Sequence, residues 1–184
     1  MWKQQRISQP LGGAEEEVRI EEYTGSRDDL RHLFALAEDS AAQLDSYLWD
    51  GRILVARHGD DIVAHLQLVD ADRPDMLEIK NMAVLAAQQG RGIGARLVHA
   101  AIELASIDSR ATVVVATAAA DTGNLRFYQR QGFRFRSVER DAFTPATGYP
   151  AGTSVDGIPL RDRIWLDRPV ESTPSPPQGG PTGG

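Results

Sequence analysis

One stretch near the middle of the chain constrains the fold more than any other. An apolar, strand-like run ends at Ala83-Val84, the glycine-rich turn Gln89-Gly90-Arg91-Gly92-Ile93-Gly94-Ala95 follows, and an amphipathic helix then leads to a β-branched run over 112–117. In that helix Ile93, Leu97, Ala100, Ala101, Leu104 and Ala105 recur at three- and four-residue intervals, so one face packs on a sheet. Two strands joined by a helix run parallel, and 112–117 has the composition of a strand buried on both faces. Upstream, the runs 52–57 and 62–69 flank His58-Gly59-Asp60-Asp61, a hairpin turn by composition, and therefore pair antiparallel. A hairpin and a crossover in one sequence predict a mixed central sheet, an α/β chain of the α+β kind.

The other elements fit around this unit. Alternation predicts a first strand over 18–23, and Leu30, Leu33, Phe34 and Ala37 mark one face of a helix over 27–39. Residues 43–48 read as a short helix or turn, and 76–84 as the strand before the glycine turn. Asp121 or Thr122 caps a helix over 123–131 that Gly132 ends, and strands over 133–140 and 163–166 close the sheet. Residues 1–16 read as a flexible arm and 17–168 as one domain with a single core. The Pro- and Gly-rich segment 169–184 has too little apolar surface to offset chain entropy and is expected to be a disordered tail.

Composition removes several functions. The chain has no Cys, which excludes disulfides, thiolate metal sites and a cysteine acyl-enzyme. A net charge of -6 argues against a nucleic-acid partner, because non-specific affinity for DNA comes from cations, and suits a cationic acceptor. No run approaches the ~18 apolar residues of a membrane span, and the N-terminus lacks a signal peptide's apolar stretch, so no membrane partner and a cytoplasmic location are expected. His32, His58, His65 and His99 show no ligand spacing, and no metal is expected.

A glycine turn between strand and helix presents backbone N–H groups to an anion, so its first candidate ligand carries phosphate. A Walker A loop needs Gly-Lys-Ser or Gly-Lys-Thr, and neither occurs. A dinucleotide fingerprint shares the spacing Gly90-x-Gly92-x-x-Ala95 but needs an acidic residue at the end of the next strand, where the chain reads Thr117-Ala118-Ala119-Ala120. A tight turn without a ligand is the third reading.

A second motif bears on this choice: Asn124-Leu125-Arg126-Phe127-Tyr128, followed by Gly132-Phe133. Gln89-x-x-Gly92-x-Gly94 and Asn124-x-x-Phe127-Tyr128-x-x-x-Gly132-Phe133, in that order and separated by one helix and one strand, strongly resemble the Gcn5-related N-acetyltransferase (GNAT) superfamily over roughly residues 18–166. The resemblance implies the GNAT fold, a mixed sheet of about seven strands flanked by helices and splayed between strands 4 and 5 to admit acetyl-CoA. It implies that the pantetheine arm pairs with the backbone of Met82, Ala83 and Val84. It places the pyrophosphate on the N–H groups of Gln89, Gly90, Arg91, Gly92, Ile93, Gly94 and Ala95, at the positive end of the helix dipole. Arg91 adds a charged contact or stays solvated. Asn124 and Phe127 fall where the family meets the cofactor, and they also read as a helix-start residue and a packing residue.

Tyr128 is the candidate acid: a phenol with pKa near ~10 can protonate CoA thiolate, whose parent thiol lies near ~8.5. A buried structural tyrosine is the other reading. Glu78 lies where histone-type members place a glutamate base, with a salt bridge to Lys80 as the alternative. Strand alternation sets Glu78 on the face of Lys80 and Met82 unless a bulge intervenes. The absence of Cys supports direct transfer in a ternary complex.

The long segment 144–162, with Tyr149 and Asp156, is expected to line the acceptor site. Asp45, Asp50, Glu139 and Asp141 offer negative charge for a cationic primary amine, and Tyr47 and Trp49 offer rings to a sugar face; solvated loop residues are the alternative for each. The run 78–84 with Asp141-Ala142-Phe143 and Asp156-Gly157-Ile158 is similar, more loosely, to a bacterial branch that includes kasugamycin-type aminoglycoside acetyltransferases. The expectation is thus an acetyl-CoA-dependent N-acetyltransferase acting on a small-molecule amine, an aminoglycoside first, with antibiotic resistance as its role. A protein, peptide or polyamine acceptor and a non-catalytic acyl-CoA-binding module are the alternatives. Dimers are common in the superfamily, which adds a possible homodimer.

Overall fold

Apolar side chains line both faces of the central strands, so the sheet is covered on both sides. In Arg52–His58 (β2), Leu54 and Ala56 enter one core while Ile53 and Val55 enter another. The computed structural model describes residues 17–38 and 40–171; the expected arm over 1–16 and the segment 172–184 lie outside the described residues. Arg19–Glu22 (β1) pairs with β2, which turns through Gly59 into Asp61–Asp70 (β3) and on to Met76–Val84 (β4), all antiparallel. Ile93–Ile107 (α3) then crosses to Thr112–Ala118 (β5), which runs parallel to β4.

The second half is Thr122–Arg130 (α4), Arg134–Glu139 (β6), a small hairpin of Ser154–Val155 (β7) and Ile158–Pro159 (β8), and Arg163–Pro169 (β9). β9 inserts between β5 and β6, giving a seven-stranded mixed sheet in the order β1-β2-β3-β4-β5-β9-β6. β9 also extends past the expected boundary at 168. Pro169, opposite Thr112, lies at the end of the ladder, where a missing N–H is tolerated, and Val170 N–H donates to Ala111 O at 2.9 Å.

Two cores hold the layers together. α3 lays Leu97, Val98, Ala101 and Ala105 on one face of the sheet, and each such aliphatic side chain larger than Ala contributes about 2 kcal/mol by burial. On the other face Leu30, Leu33 and Phe34 join Leu44 and Leu48 against Ile53 and Val55. Here the expected helix over 27–39 is shorter: a 3-10 turn at Arg27–Leu30 runs into the single helical turn Arg31–Phe34 (α1). The helix tightens into 3-10-type bonds from Leu36 N–H to Leu33 O and from Ala37 N–H to Phe34 O, and beyond it the Glu38 carboxylate accepts the Ser40 N–H at 3.0 Å. Ser40 then caps Ala41–Tyr47 (α2) by accepting the Gln43 N–H.

β3 carries a titratable group into this smaller core. The His65 ring is fully buried, 4.2 Å from that of Phe34, and among the described residues neither ring nitrogen has a hydrogen-bond partner. Burial holds its pKa down to about 4, from 6.5 for a free imidazole, with the nearby Asn81 opposing the shift. The folded chain keeps the neutral ring while the unfolded chain takes the proton first. This stability is therefore complete above pH ~6.5 and is lost as pH falls toward ~4, by about 3 kcal/mol at most. Urea unfolding at pH ~7.5 and ~4.5 should show the acid loss shrinking in His65→Leu relative to the parent. Equal losses in the two proteins would remove His65 as a source.

Candidate active site

β4 and β5 pair only between Met76–Ile79 and 112–115. Beyond Ile79 the strands part, so the backbone groups of residues 80–84 that face β5 have no strand partner, while β3 still pairs the other edge. A bulge sits at the fork. The register steps from Gln67 opposite Asn81 to Leu68 opposite Ile79, which leaves Lys80 as the extra residue.

This bulge corrects the facing that plain alternation gives. Met82 lies opposite Leu66 and packs into the α3 core, away from Glu78. Asn81 faces α1 and α2, where its amide donates to Phe34 O at 3.3 Å and to the Tyr47 hydroxyl at 2.9 Å. Glu78, opposite Val69 and between the core residues Leu77 and Ile79, faces the Asn81 side. Its carboxylate accepts from Lys80 Nζ at 3.2 Å, and that ammonium lies 5.4 Å from the centre of the Tyr47 ring.

The glycine turn follows the free end of β4. Gly92, at φ 77°, has the left-handed conformation that starts α3, and a Cβ there would meet no protein atom within 4 Å. The first helical bond runs from Arg96 N–H to Gly92 O, so the N–H groups of Ile93, Gly94 and Ala95 are free for an anion. Gly94 serves packing: a Cβ would stand 3.4 Å from the Phe127 ring. Gln89 donates its side-chain amide to Val84 O at 3.1 Å, tying the turn to the strand, and Arg91 donates to Gln88 Oε1 at 2.6 Å.

Opposite the turn, Asp121 caps α4. Its carboxylate accepts the Asn124 N–H at 2.8 Å and the Asn124 side-chain amide at 2.7 Å. Further along α4, Tyr128 is buried edge-on between Phe127 and Phe133, at 5.0 and 5.6 Å between ring centres. Among the described residues its hydroxyl has no hydrogen-bond partner. Burial first, and the Asp121 charge second, raise this phenol well above its ordinary pKa of 10.0.

A cleft of about 810 Å³ opens from the fork toward α2 and the segment 144–162, with Tyr128, Asn124 and Glu78 in its wall. Of its charged residues, Lys80 pairs with Glu78, Asp70 with Arg110 at 2.7 Å, and Arg163 with Glu139 at 3.0 Å. Among the described residues, the carboxylates of Glu38 and Asp50 in the same wall have no cationic partner. Glu38 instead accepts from the Tyr149 hydroxyl at 2.9 Å and the Tyr47 hydroxyl at 3.4 Å. Burial foremost pushes the Tyr47 phenol up to about 12 and raises that of Tyr149 as well. The Tyr149 bond joins the 144–162 segment to the loop before α2, and Gln43 reinforces it by donating to Thr147 O at 3.3 Å.

Of the acceptor residues expected from sequence, Asp50, Glu78, Tyr149 and Tyr47 line this cleft. Trp49, 58% exposed, does not, and neither do Asp141 and Asp156, whose positive φ values of 53° and 48° place them at turns. Asp45 is paired outside the cleft with Arg31. Glu38 and Asn81 were missed. Glu38 fell on the expected helix over 27–39, and Asn81 faces the cleft side through a bulge that no residue pattern announces.

A sheet forked at its parallel pair, with a glycine-turn anion cradle beside the fork, is the arrangement that the resemblance to acetyltransferases implies for an acyl donor carrying a pyrophosphate. The chain belongs to the Acetyltransferase (GNAT) family, which matches residues 16–133. It is 33% identical over 154 residues to the uncharacterized N-acetyltransferase YvbK of Bacillus subtilis (strain 168), covering 83% of this chain and 97% of that protein. Among solved structures, it is 32% identical to a Bacillus subtilis acetyltransferase in complex with CoA, with a TM-score of 0.77 and coverage of 84% of this chain and 100% of that one. An Elizabethkingia anophelis GNAT acetyltransferase with acetyl-CoA bound is 30% identical, TM-score 0.75, over 83% and 97% of the two chains. The protein is thus an acetyl-CoA-dependent GNAT N-acetyltransferase. No described helix is long and apolar enough to cross a membrane.

Proposed function

We propose that the enzyme moves an acetyl group directly to a primary amine of a cationic small molecule, and we assign an aminoglycoside of kasugamycin type as the first acceptor class, with resistance by modification in the cytoplasm as the role. One observation carries this reading: the cleft wall holds the carboxylates of Glu38 and Asp50 without a cationic partner among the described residues, and the Tyr149–Glu38 bond ties the 144–162 segment across it, an acidic pocket suited to a cationic small molecule.

In this reading the pantetheine arm lies along the free edge of Met82, Ala83 and Val84, and the pyrophosphate lies on the N–H groups of residues 89–95. Asn124 and Phe127 flank the cofactor. The acceptor ammonium loses its proton to Glu78, directly or through water, and the amine attacks the thioester carbonyl. As the C–S bond breaks, the Tyr128 hydroxyl donates to the departing sulfur. A phenol raised by burial surrenders its proton less completely than a free one, so its main contribution is a hydrogen bond to the developing thiolate.

Thiol release over a panel of amines tests the assignment. Kasugamycin and related aminoglycosides should accelerate CoA release most, and cells expressing the protein should survive them. Unchanged sensitivity with no release would overturn the acceptor class, and a preference for spermidine or an N-terminal peptide would replace it. Glu38→Gln keeps an acceptor for both tyrosines and removes the charge. It should raise KM for a cationic amine about tenfold, a loss of about 1.4 kcal/mol, and leave KM for a neutral primary amine within about twofold.

A further inference from the structure

The chain contains only two lysines, Lys3 and Lys80, against eighteen arginines. Lys80 is the only lysine among the described residues, and it stands in the wall of the acceptor cleft. In every other ion pair among the described residues, His99 with Glu103 apart, the cation is Arg. The two are not equivalent: a guanidinium stays charged and does not attack carbonyls, whereas an ammonium can lose its proton and become a nucleophile.

Lys80 also occupies a particular place in the fold. It is the extra residue of the β4 bulge and the first residue past the last β4–β5 pair, where the fork opens. Its Nζ contacts the Glu78 carboxylate at 3.2 Å and lies over the Tyr47 ring at 5.4 Å. A carboxylate together with an aromatic face is what an acceptor ammonium requires. The chain thus presents its own primary amine to the groups that the proposed function gives to the substrate's amine.

We propose that Lys80 is a self-acetylation site, the enzyme's acceptor in cis. The inference rests on the reading of Glu78 and Tyr128 given above. The Lys80 ammonium gives one proton to Glu78, the Nζ lone pair forms a C–N bond to the thioester carbonyl carbon, and the C–S bond breaks. CoA leaves as the thiolate, hydrogen-bonded by Tyr128, and takes up the second proton lost by the nitrogen to become the free thiol, while Glu78 releases its proton to solvent. The product is a neutral acetamide on Lys80. Glu78 then loses its ion-pair partner, and the cleft gains one net negative charge toward an incoming cation.

The test uses the purified full chain with acetyl-CoA and no added amine, followed by intact mass and peptide mapping. One acetyl unit per chain is expected, on Lys80, at a rate per chain that does not change with protein concentration. Tyr128→Phe should slow it at least about tenfold, and Lys80→Arg, which keeps the charge, should abolish it. Pre-acetylated enzyme should show a KM for a cationic amine several-fold lower, about the effect of one added charge. Labelling that persists equally in urea or in Tyr128→Phe would mark ordinary chemical acetylation and overturn the proposal, and so would a rate proportional to protein concentration. An unmodified Lys80 alongside brisk transfer to added amines overturns the self-acetylation alone. Absence of both, with acetyl-CoA still bound, overturns the acceptor reading on which it rests.

Discussion

Tyr128→Phe is expected to lower kcat about 10²-fold while leaving the Kd for acetyl-CoA within about twofold. The hydroxyl has no partner among the described residues, so removing it breaks no bond in the resting protein. The ring's edge contacts with Phe127 and Phe133 survive the change. Deleting a hydroxyl that faces the cleft and has no partner among the described residues should therefore leave the melting temperature unchanged. The loss falls on the step in which charge appears on sulfur. The raised phenol adds a pH signature: because it stays protonated past pH ~10, no alkaline decline due to Tyr128 appears below that value. Steady-state kinetics with a fast acceptor, alongside calorimetric titration with CoA, separates the two effects. Equal turnover in parent and variant would remove Tyr128 from the chemistry.

The second large effect is expected at Gly92. Gly92→Glu forces a side chain onto a backbone at φ 77° and sets a carboxylate beside the free N–H groups of Ile93, Gly94 and Ala95. The strain costs about 1–2 kcal/mol of stability. Charge repulsion at an anion cradle should weaken acetyl-CoA binding at least about 10²-fold, equivalent to about 2.7 kcal/mol. Gly92→Ala separates the contributions: it shares the strain and lacks the charge, so it should melt at about the same temperature as Gly92→Glu yet bind acetyl-CoA far better. Binding unchanged in Gly92→Glu would place the pyrophosphate elsewhere.

The parallel crossover and the upstream hairpin were readable because each is local: a turn composition, a helical stripe and a β-branched run lie within a few dozen residues. The position of β9 between β5 and β6 was not, since strand order depends on a long return connection that carries no periodic signal. The same division runs through the site. Gly92 and Asn124 sit in motifs whose spacing reflects backbone geometry, so sequence placed them at the starts of α3 and α4, where they lie. Glu38 required the third dimension, because its partner Tyr149 is 111 residues away. Asn81 required the bulge, since one extra residue in β4 reverses every later side chain, and Lys-Asn-Met does not reveal which residue is extra.

The short pairing of β4 with β5 has a consequence for the life of the protein in a cell. Four residue pairs join the two halves of the sheet, and acetyl-CoA lying in the fork as proposed would touch both halves. Its binding energy is therefore also cohesion: at a hundredfold excess over Kd, a bound ligand adds about 2.7 kcal/mol to the folded state. Chains with acetyl-CoA bound are therefore expected to resist proteases longer than chains without it, which would tie the enzyme's abundance to the supply of its own donor.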